Sequence, residues 1–296
     1  MIQLSPPLQA SLLMLATCIC FSIMSAVIRD LSTEISPFQI AFVRNLVGII
    51  ILFPIMLKIG FQPINGSIYR AYGLRACVGI CAMWAWYSAL SLTPLAEAVT
   101  LSFTTSLWMI PVAILLLGEK VGIRRWGATI IGFVGVLIVL QPASQNFNAG
   151  SLLALLSALL FAVSMALVKL LAKSERPVEI VFYMNIFMIP LSIGPAIVFW
   201  STPTLDQWCS LCFIGVASAC AHFFMARALA RVDASALMPL DFTRLPFAVA
   251  LGYIVFGEIP TIWIWPGALL IAVSVLYIAR REAQLYKLRH SKANHF

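Results

Sequence analysis

The sequence predicts an all-α membrane protein of ten transmembrane helices arranged as two inverted five-helix repeats. Three observations lead there. Of 296 residues, 62% are hydrophobic and only 10% charged, against roughly 45–50% and about 25% in an ordinary soluble domain, which excludes a soluble enzyme. Ten apolar runs are each long enough to cross a hydrocarbon core of roughly 30 Å. The two halves of the chain also repeat each other. Because lipid leaves backbone amides no outside partner, runs of this length without strand-like alternation can only be helices.

The first run, 8–28, lacks a basic leader and reads as a retained helix rather than a cleaved signal peptide. The second, 38–57, carries Arg44 about seven residues in, near enough to the outer interface to snorkel. The third, 70–91, holds Arg75 near its start, which reads as an anchor, and Trp84, Trp86 and Tyr87 further in. The fourth, 95–117, begins with Glu97, where a carboxylate favours a helix N-terminus, contains Trp108 and ends at Gly118-Glu119. The fifth, 124–141, starts at Arg124-Arg125-Trp126, and 150–171 and 178–200 follow as the counterparts of the first two. The eighth, 207–229, contains His222, four positions after Ser218 on one helical face, and ends near Arg227. The ninth, 235–256, contains Asp241 and Arg244 and ends at Gly257-Glu258; the tenth is 261–279. Residues 1–142 and 150–280 form the two repeat units, and 281–296 a basic tail.

Orientation follows from the Lys and Arg distribution, because cytoplasmic loops retain positive charge. With the N-terminus cytoplasmic, sixteen of the nineteen basic residues fall on that side, Arg29 alone falls outside, and Arg44 and Arg244 lie within the membrane. Both termini are then cytoplasmic, in a plasma or bacterial inner membrane. The net charge of +8 is thereby a topology signal and not a nucleic-acid footprint. Seven cysteines lie in apolar runs without a zinc-ligand pattern and read as small core residues; Cys209-x-x-Cys212 lacks the strand–helix setting of a redox motif. No metal or other cofactor is expected.

An offset of 140 pairs Phe21 with Phe161, Arg29 with Lys169, Pro37 with Pro177, Ile40 with Ile180 and Asn45 with Asn185. An offset of 139 pairs Ala89 with Ala228, Gly118 with Gly257, Glu119 with Glu258 and Trp126 with Trp265. Since each half has five helices, the second must enter the membrane from the opposite side. Inverted repeats of this kind belong to carriers that alternate access around a midplane site.

Leu115-Leu116-Leu117-Gly118-Glu119 with Trp126-Gly127 and Gly132-x-x-Gly135, and Val255-Phe256-Gly257-Glu258 with Trp265-Pro266-Gly267, resemble the doubled motif of the EamA family in the drug/metabolite transporter superfamily. The resemblance covers essentially the whole chain. It implies ten helices, cytoplasmic termini, a central cavity lined by helices 1, 3, 4, 6, 8 and 9, and transport of small organic solutes. Phe42-x-Arg44, Arg125-Trp126 and Val232-Asp233-Ala234 are similar to the S-adenosylmethionine uptake carriers of that family, from whose pattern Asp241 departs.

Asp241 and Arg244 lie on the order of 10 and 15 Å into the ninth helix, on one face. An ionisable group that deep costs at least about 2.5–3.5 kcal/mol on insertion scales, so the two are expected either to meet a substrate or ion or to neutralise each other in packing, and the first is the reading adopted. Pro239 and Pro246 interrupt the backbone ladder around them. Trp84, Tyr87 and Trp108, bulky rings away from both interfaces, are expected to line the site for a flat or cationic ligand. His222 joins them, and Arg44 and Glu97 are candidates for gating or coupling. Glu119 and Glu258 read as end-of-helix carboxylates facing the positive start of the next helix. An intramembrane enzyme would need His-Glu-x-x-His, Gly-x-Ser-x-Gly or a metal cluster, and the chain has none of these. The expected function is secondary transport of a zwitterionic or amino-acid-like solute, such as S-adenosylmethionine or a large amino acid; the alternatives are another metabolite or drug exporter of the same fold, or a channel or lipid scramblase. Its partners are a small-molecule substrate and the lipid bilayer, with a homodimer left open and no nucleic acid.

Overall fold

Why the apolar runs start and stop where they do is visible at the helix ends. In the computed structural model, which describes residues 6–60, 66–118, 122–141, 148–171, 175–229 and 240–293, these runs form eleven helices. They are α1 (Pro6–Leu31), α2 (Pro37–Ile59), α3 (Gly66–Leu92), α4 (Leu95–Ser102), α5 (Thr105–Leu117), α6 (Ile123–Leu140), α7 (Ala149–Leu171), α8 (Pro177–Val198), α9 (Leu205–Leu229), α10 (Arg244–Phe256) and α11 (Ile264–Ala293). No strand occurs among the described residues. Pro37 and Pro177, paired by the repeat, each take the first helical position, where the missing N–H costs nothing. The Ser36 hydroxyl accepts the Gln39 amide of α2 at 3.2 Å, and the Glu179 carboxylate accepts the Arg176 amide ahead of α8 at 3.1 Å. Gly118 and Gly257 end α5 and α10 at φ +65°, the left-handed cap that a side chain would oppose.

The fourth span is not one helix. It breaks at Phe103-Thr104 between α4 and α5, and the same break recurs at Phe242-Thr243 ahead of α10. In both, the Thr hydroxyl donates 2.6 Å back to the carbonyl three residues earlier, Leu101 or Leu240. The two Thr backbones agree within a few degrees, at φ −63°, ψ −14° and φ −64°, ψ −15°. Pro246 is not responsible. Pro246 sits in the first turn of α10, where it breaks no hydrogen bond, and Pro239 and the Val232-Asp233-Ala234 stretch lie outside the described residues.

Helix packing follows a two-fold relation between the halves. The pair α1 with α9 has its counterpart in α7 with α3, α2 with α9 in α8 with α3, and α5 with α7 in α10 with α1; α2 with α8 and α6 with α11 are their own counterparts. At the α6–α11 crossing the backbones touch. A Cβ on Gly135 would stand 2.8 Å from the Gly267 carbonyl oxygen, and one on Gly267 the same 2.8 Å from that of Gly135. Small residues are what allow helices to approach this closely where lipid supplies no hydrophobic drive. Gly135→Val is therefore expected to cost about 1–3 kcal/mol by overpacking, read as a lowered melting midpoint in detergent; an unchanged midpoint would show that the crossing yields freely.

Among the described residues, six stretches are long and apolar enough to cross a membrane, Leu95–Leu116 among them despite its break, and three shorter apolar helices lie in α6, α10 and α11. Large apolar side chains cover the outside, Leu115, Ile123 and Ile254 being exposed, as an outer surface facing lipid requires. The cysteines are only partly core: Cys18 is buried, whereas Cys77, Cys81, Cys209 and Cys212 are exposed. Lipid is as apolar as a protein core, so the same residue type suits both. Helix α11 continues to Ala293, through much of the segment expected as a tail.

Candidate functional site

Asp241 and Arg244 flank the second break. Asp241 is the last helical residue before it and Arg244 the first residue of α10. Their i, i+3 spacing leaves Asp241 Oδ1 and Arg244 Nη1 3.8 Å apart, with 33% and 19% of the side chains accessible. A cation at a helix N-terminus opposes the helix dipole, and the adjacent carboxylate offsets it. The guanidinium lies 5.4 Å from the Phe21 ring centre on α1 and 5.9 Å from that of Phe103 at the other break, so Arg244 points to the interior. Phe103 and Phe242 meet at 4.7 Å, bringing the two breaks together.

From Phe21 the contacts lead to α9. His222 meets the Phe21 ring edge-on at 5.5 Å, and its Nδ1 donates 2.7 Å to the Ser218 carbonyl, which fixes a proton on Nδ1. The Ser218 hydroxyl accepts from Arg44 at 2.6 Å (Nη2) and 3.2 Å (Nε). Arg44 Nη1 also donates to Asn45 Oδ1 at 3.2 Å and approaches Met83 Sδ at 3.4 Å. Arg44 is thus turned inward from α2, and does not snorkel. Arg75 was expected at the cytoplasmic end as an anchor. Because α3 begins at Gly66, Arg75 lies nine residues in, and its Nε and Nη1 are buried without a partner.

The aromatic candidates divide. Trp84 packs edge-on against Phe38 at 5.1 Å, and Trp108 against Phe133 at 4.8 Å in a separate cluster with Val112, Ala162 and Ala166. Their indole Nε1 atoms are both buried without a partner. Tyr87 is buried at 2% exposure. The three rings do not form one cage: Trp84 and Tyr87 pack with the main core cluster, and Trp108 lines the α5–α7 side.

Glu97 and Glu258 belong to a network at one end of the bundle. Glu258 pairs with Arg29, and its Oε2 accepts the Leu95 amide at 2.9 Å, so it meets the positive start of α4 and not that of the following helix. Arg29 also donates to the Thr93 carbonyl and covers the Phe256 ring at 4.9 Å. The Thr93 hydroxyl reaches Asn148 Oδ1 at 3.1 Å, Asn148 accepts the Ser151 amide at 2.9 Å, and the Ser151 hydroxyl donates to Glu97 at 2.6 Å. The ends of α1, α3, α4, α7 and α10 are tied by this chain of contacts. Glu119, the repeat counterpart of Glu258, lies outside the described residues.

With this geometry in hand, the EamA-like transporter family matches residues 8–141 and 148–280, one match to each half. The chain belongs to the EamA-like transporter family. It is a metabolite transporter of the drug/metabolite transporter superfamily and an integral membrane protein, not an enzyme. A riboflavin transporter of Vibrio cholerae serotype O1 is 31% identical over 283 residues, covering 94% of this chain and 95% of the relative. One of Brucella anthropi is 32% identical over 257 residues, 85% and 90% of the two chains. An S-adenosylmethionine uptake transporter of Rickettsia bellii is 30% identical over 254 residues, 86% and 87%. A solved structure at 18% identity, covering 92% of this chain and 98% of its own, superposes with a TM-score of 0.63 and shares the fold.

The breaks at Phe103-Thr104 and Phe242-Thr243 escaped the reading of the sequence, although Phe-Thr recurs at the offset of 139 that aligns the halves. Nothing in a single sequence reveals which way Arg75 turns.

Proposed function

We propose that this EamA-like transporter is a secondary carrier of ten spans with both termini cytoplasmic. It moves a planar, ring-bearing metabolite rich in hydrogen-bond acceptors, of the flavin type, by alternating access around the paired breaks. The observation that supports this substrate class is the sign of the unmet hydrogen bonds. Among the described residues, Arg75 Nε and Nη1, Arg244 Nε, Trp84 Nε1, Trp108 Nε1, Asn45 Nδ2 and Gln141 Nε2 are buried donors without a protein acceptor, beside two hydroxyls, Ser22 and Ser274, and one acceptor, Glu179 Oε1. A buried donor left unpaired costs about 1–3 kcal/mol, so a solute presenting carbonyl and ring-nitrogen acceptors gains most there. The isoalloxazine ring of riboflavin, the solute in the names of two relatives, has that chemistry and a flat face for Trp84.

The second reading is a zwitterion such as S-adenosylmethionine, named for the Rickettsia bellii relative. Asp241, 33% accessible, favours it by offering a seat for a cationic group. Charge weighs against it, because Arg244 stands beside that one carboxylate and repels a solute of net positive charge. Asp241 and Arg244, with Trp84, Tyr87 and His222, remain the proposed substrate contacts, and Trp108 is set apart from them on the α5–α7 side. Arg44 shifts from gating to the substrate side, and Glu97 stays with the end network.

The experiment is a thermal-shift titration of the purified chain. Riboflavin is expected to raise the midpoint in proportion to the logarithm of its concentration above Kd, while S-adenosylmethionine, a large amino acid and a neutral sugar leave it unchanged. A shift with S-adenosylmethionine alone would replace the first reading by the second.

A further inference from the structure

We propose that Glu97 is a proton-binding site that acts as a latch on the end of the bundle tied by Arg29 and Glu258: ionised, it keeps that end closed, and protonated, it lets the end open. The latch regulates the carrier proposed above and rests on that reading. The usual structural task of a glutamate at this position is denied to Glu97. It is the third residue of α4, where a carboxylate ordinarily reaches back to the N-cap amide. That cap is Pro94, which has no N–H, and the next amide, that of Leu95, is taken by Glu258 at 2.9 Å. Glu97 instead crosses to α7, where the Ser151 hydroxyl meets its Oε1 at 2.6 Å. The repeat does not require it either, since the offset of 139 sets Ala236 opposite Glu97.

The chain of contacts beyond Glu97 has two proton arrangements. Ser151 has one hydroxyl hydrogen and two oxygens facing it, Glu97 Oε1 at 2.6 Å and Asn148 Oδ1 at 3.2 Å. With Glu97 ionised, that hydrogen lies toward the carboxylate. Asn148 Oδ1 then serves the Ser151 amide at 2.9 Å and the Thr93 hydroxyl at 3.1 Å, which fills its two lone pairs. When Glu97 takes up a proton, its O–H donates to Ser151 Oγ and the Ser151 hydrogen swings to Asn148. Three donors now compete for two lone pairs, and the Thr93 hydroxyl, the more distant of the original two, is displaced. Thr93 also supplies the carbonyl that receives Arg29, so the displacement reaches the Arg29–Glu258 pair.

The helices packed on α4 are α7, α10, α1, α3, α6 and α11. Arg29 of α1 and Glu258 beyond α10 hold each other, and Asp30 and Tyr253 are exposed, so among the described residues Glu97 has no counter-ion. Tyr87 of α3 is neutral at physiological pH. The nearest other basic residues of these helices, Arg75, Arg125, Lys169, Arg244 and Arg280, lie at least a dozen residues, about 18 Å, along them from this end.

The test reads the closed end directly and transport alongside it. The full-length, otherwise cysteine-free chain carries Ala154→Cys, a fully buried position on α7 three residues beyond Ser151. Labelling by an impermeant maleimide is followed at about pH 8 and about pH 6, where exposed carboxylates stay ionised. Glu97→Gln, whose amide donates to Ser151 as the protonated acid does, is expected to label about two- to tenfold faster than the Glu97 chain at the higher pH and to match it at the lower. Comparing chains at one pH cancels the thiol's own response to pH. Should Glu97→Gln fail to fold, Ser151→Ala decides: without the shared hydrogen the end stays closed, and this variant labels slower than the Glu97 chain at the lower pH by the same factor. Exchange of riboflavin into proteoliposomes is expected to quicken on acidification in the unaltered chain and to be independent of pH in Glu97→Gln. Equal labelling of the compared chains, or a pH response of exchange that survives Glu97→Gln, overturns the latch and leaves the carrier reading standing. The expected labelling without any riboflavin exchange retains the latch and removes the flavin reading.

Discussion

Arg244→Gln is expected to lower uptake into proteoliposomes roughly 10- to 150-fold, the loss of a charge-assisted contact worth about 1.5–3 kcal/mol, while the protein remains monodisperse. Asp241→Asn should do the same. The 3.8 Å separation of the pair is long for a direct ion pair, and both side chains retain accessible surface, so each has capacity for another partner. Their position, on either side of a helix break, also exposes them to any movement of α10. The decisive control is the double exchange, Asp241→Arg with Arg244→Asp. If the pair only neutralises itself, exchange restores transport; if each residue meets its own part of the solute, transport stays lost. Full recovery would move both residues from the substrate site to packing.

Glu258→Gln is expected to free the end of the bundle held by its carboxylate. That group satisfies Arg29 and the Leu95 amide at once, so removing its charge leaves a guanidinium 19% accessible without its counter-charge. The loss, again about 1.5–3 kcal/mol, corresponds to roughly a 10- to 150-fold change in the balance between tied and untied ends. A cysteine placed at the buried Ala96, 4% exposed, on an otherwise cysteine-free chain should then label with an impermeant maleimide at least about tenfold faster than in the Glu258 background. Glu258→Asp should fall between the two. Equal labelling rates would show that the network does not hold this end shut.

Much of the architecture was legible because lipid simplifies the problem. A run of apolar residues can only be a helix there, and paired Pro37 and Pro177, or Gly118 and Gly257, mark starts and stops by backbone chemistry alone. Asp241 and Arg244 were legible for a similar reason, since a charge far from water attracts notice wherever it points. Arg75 was not, because its depth depends on where α3 begins, and a run counted from 70 hides the turn that starts at Gly66. The partition of Trp84 from Trp108 was also hidden. Periodicity gives the face a ring occupies on its own helix, but Phe38 and Phe133, which receive these two rings, come from α2 and α6.

The matched breaks at Phe103-Thr104 and Phe242-Thr243 have a thermodynamic consequence. Two identical inverted halves would give inward-facing and outward-facing forms of equal energy, each the mirror of the other in occupancy. The breaks are alike in backbone, but Ser102 stands where the second half has Asp241, and Thr105 where it has Arg244. That ionic difference sits at one break only, so on the proposed alternating-access mechanism it enters the energy of the two forms unequally. Each 1.4 kcal/mol of inequality is about a tenfold ratio between them. On the proposed alternating-access mechanism the charge pair biases the direction in which the empty carrier rests, and a solute that binds both forms equally leaves that resting direction unchanged.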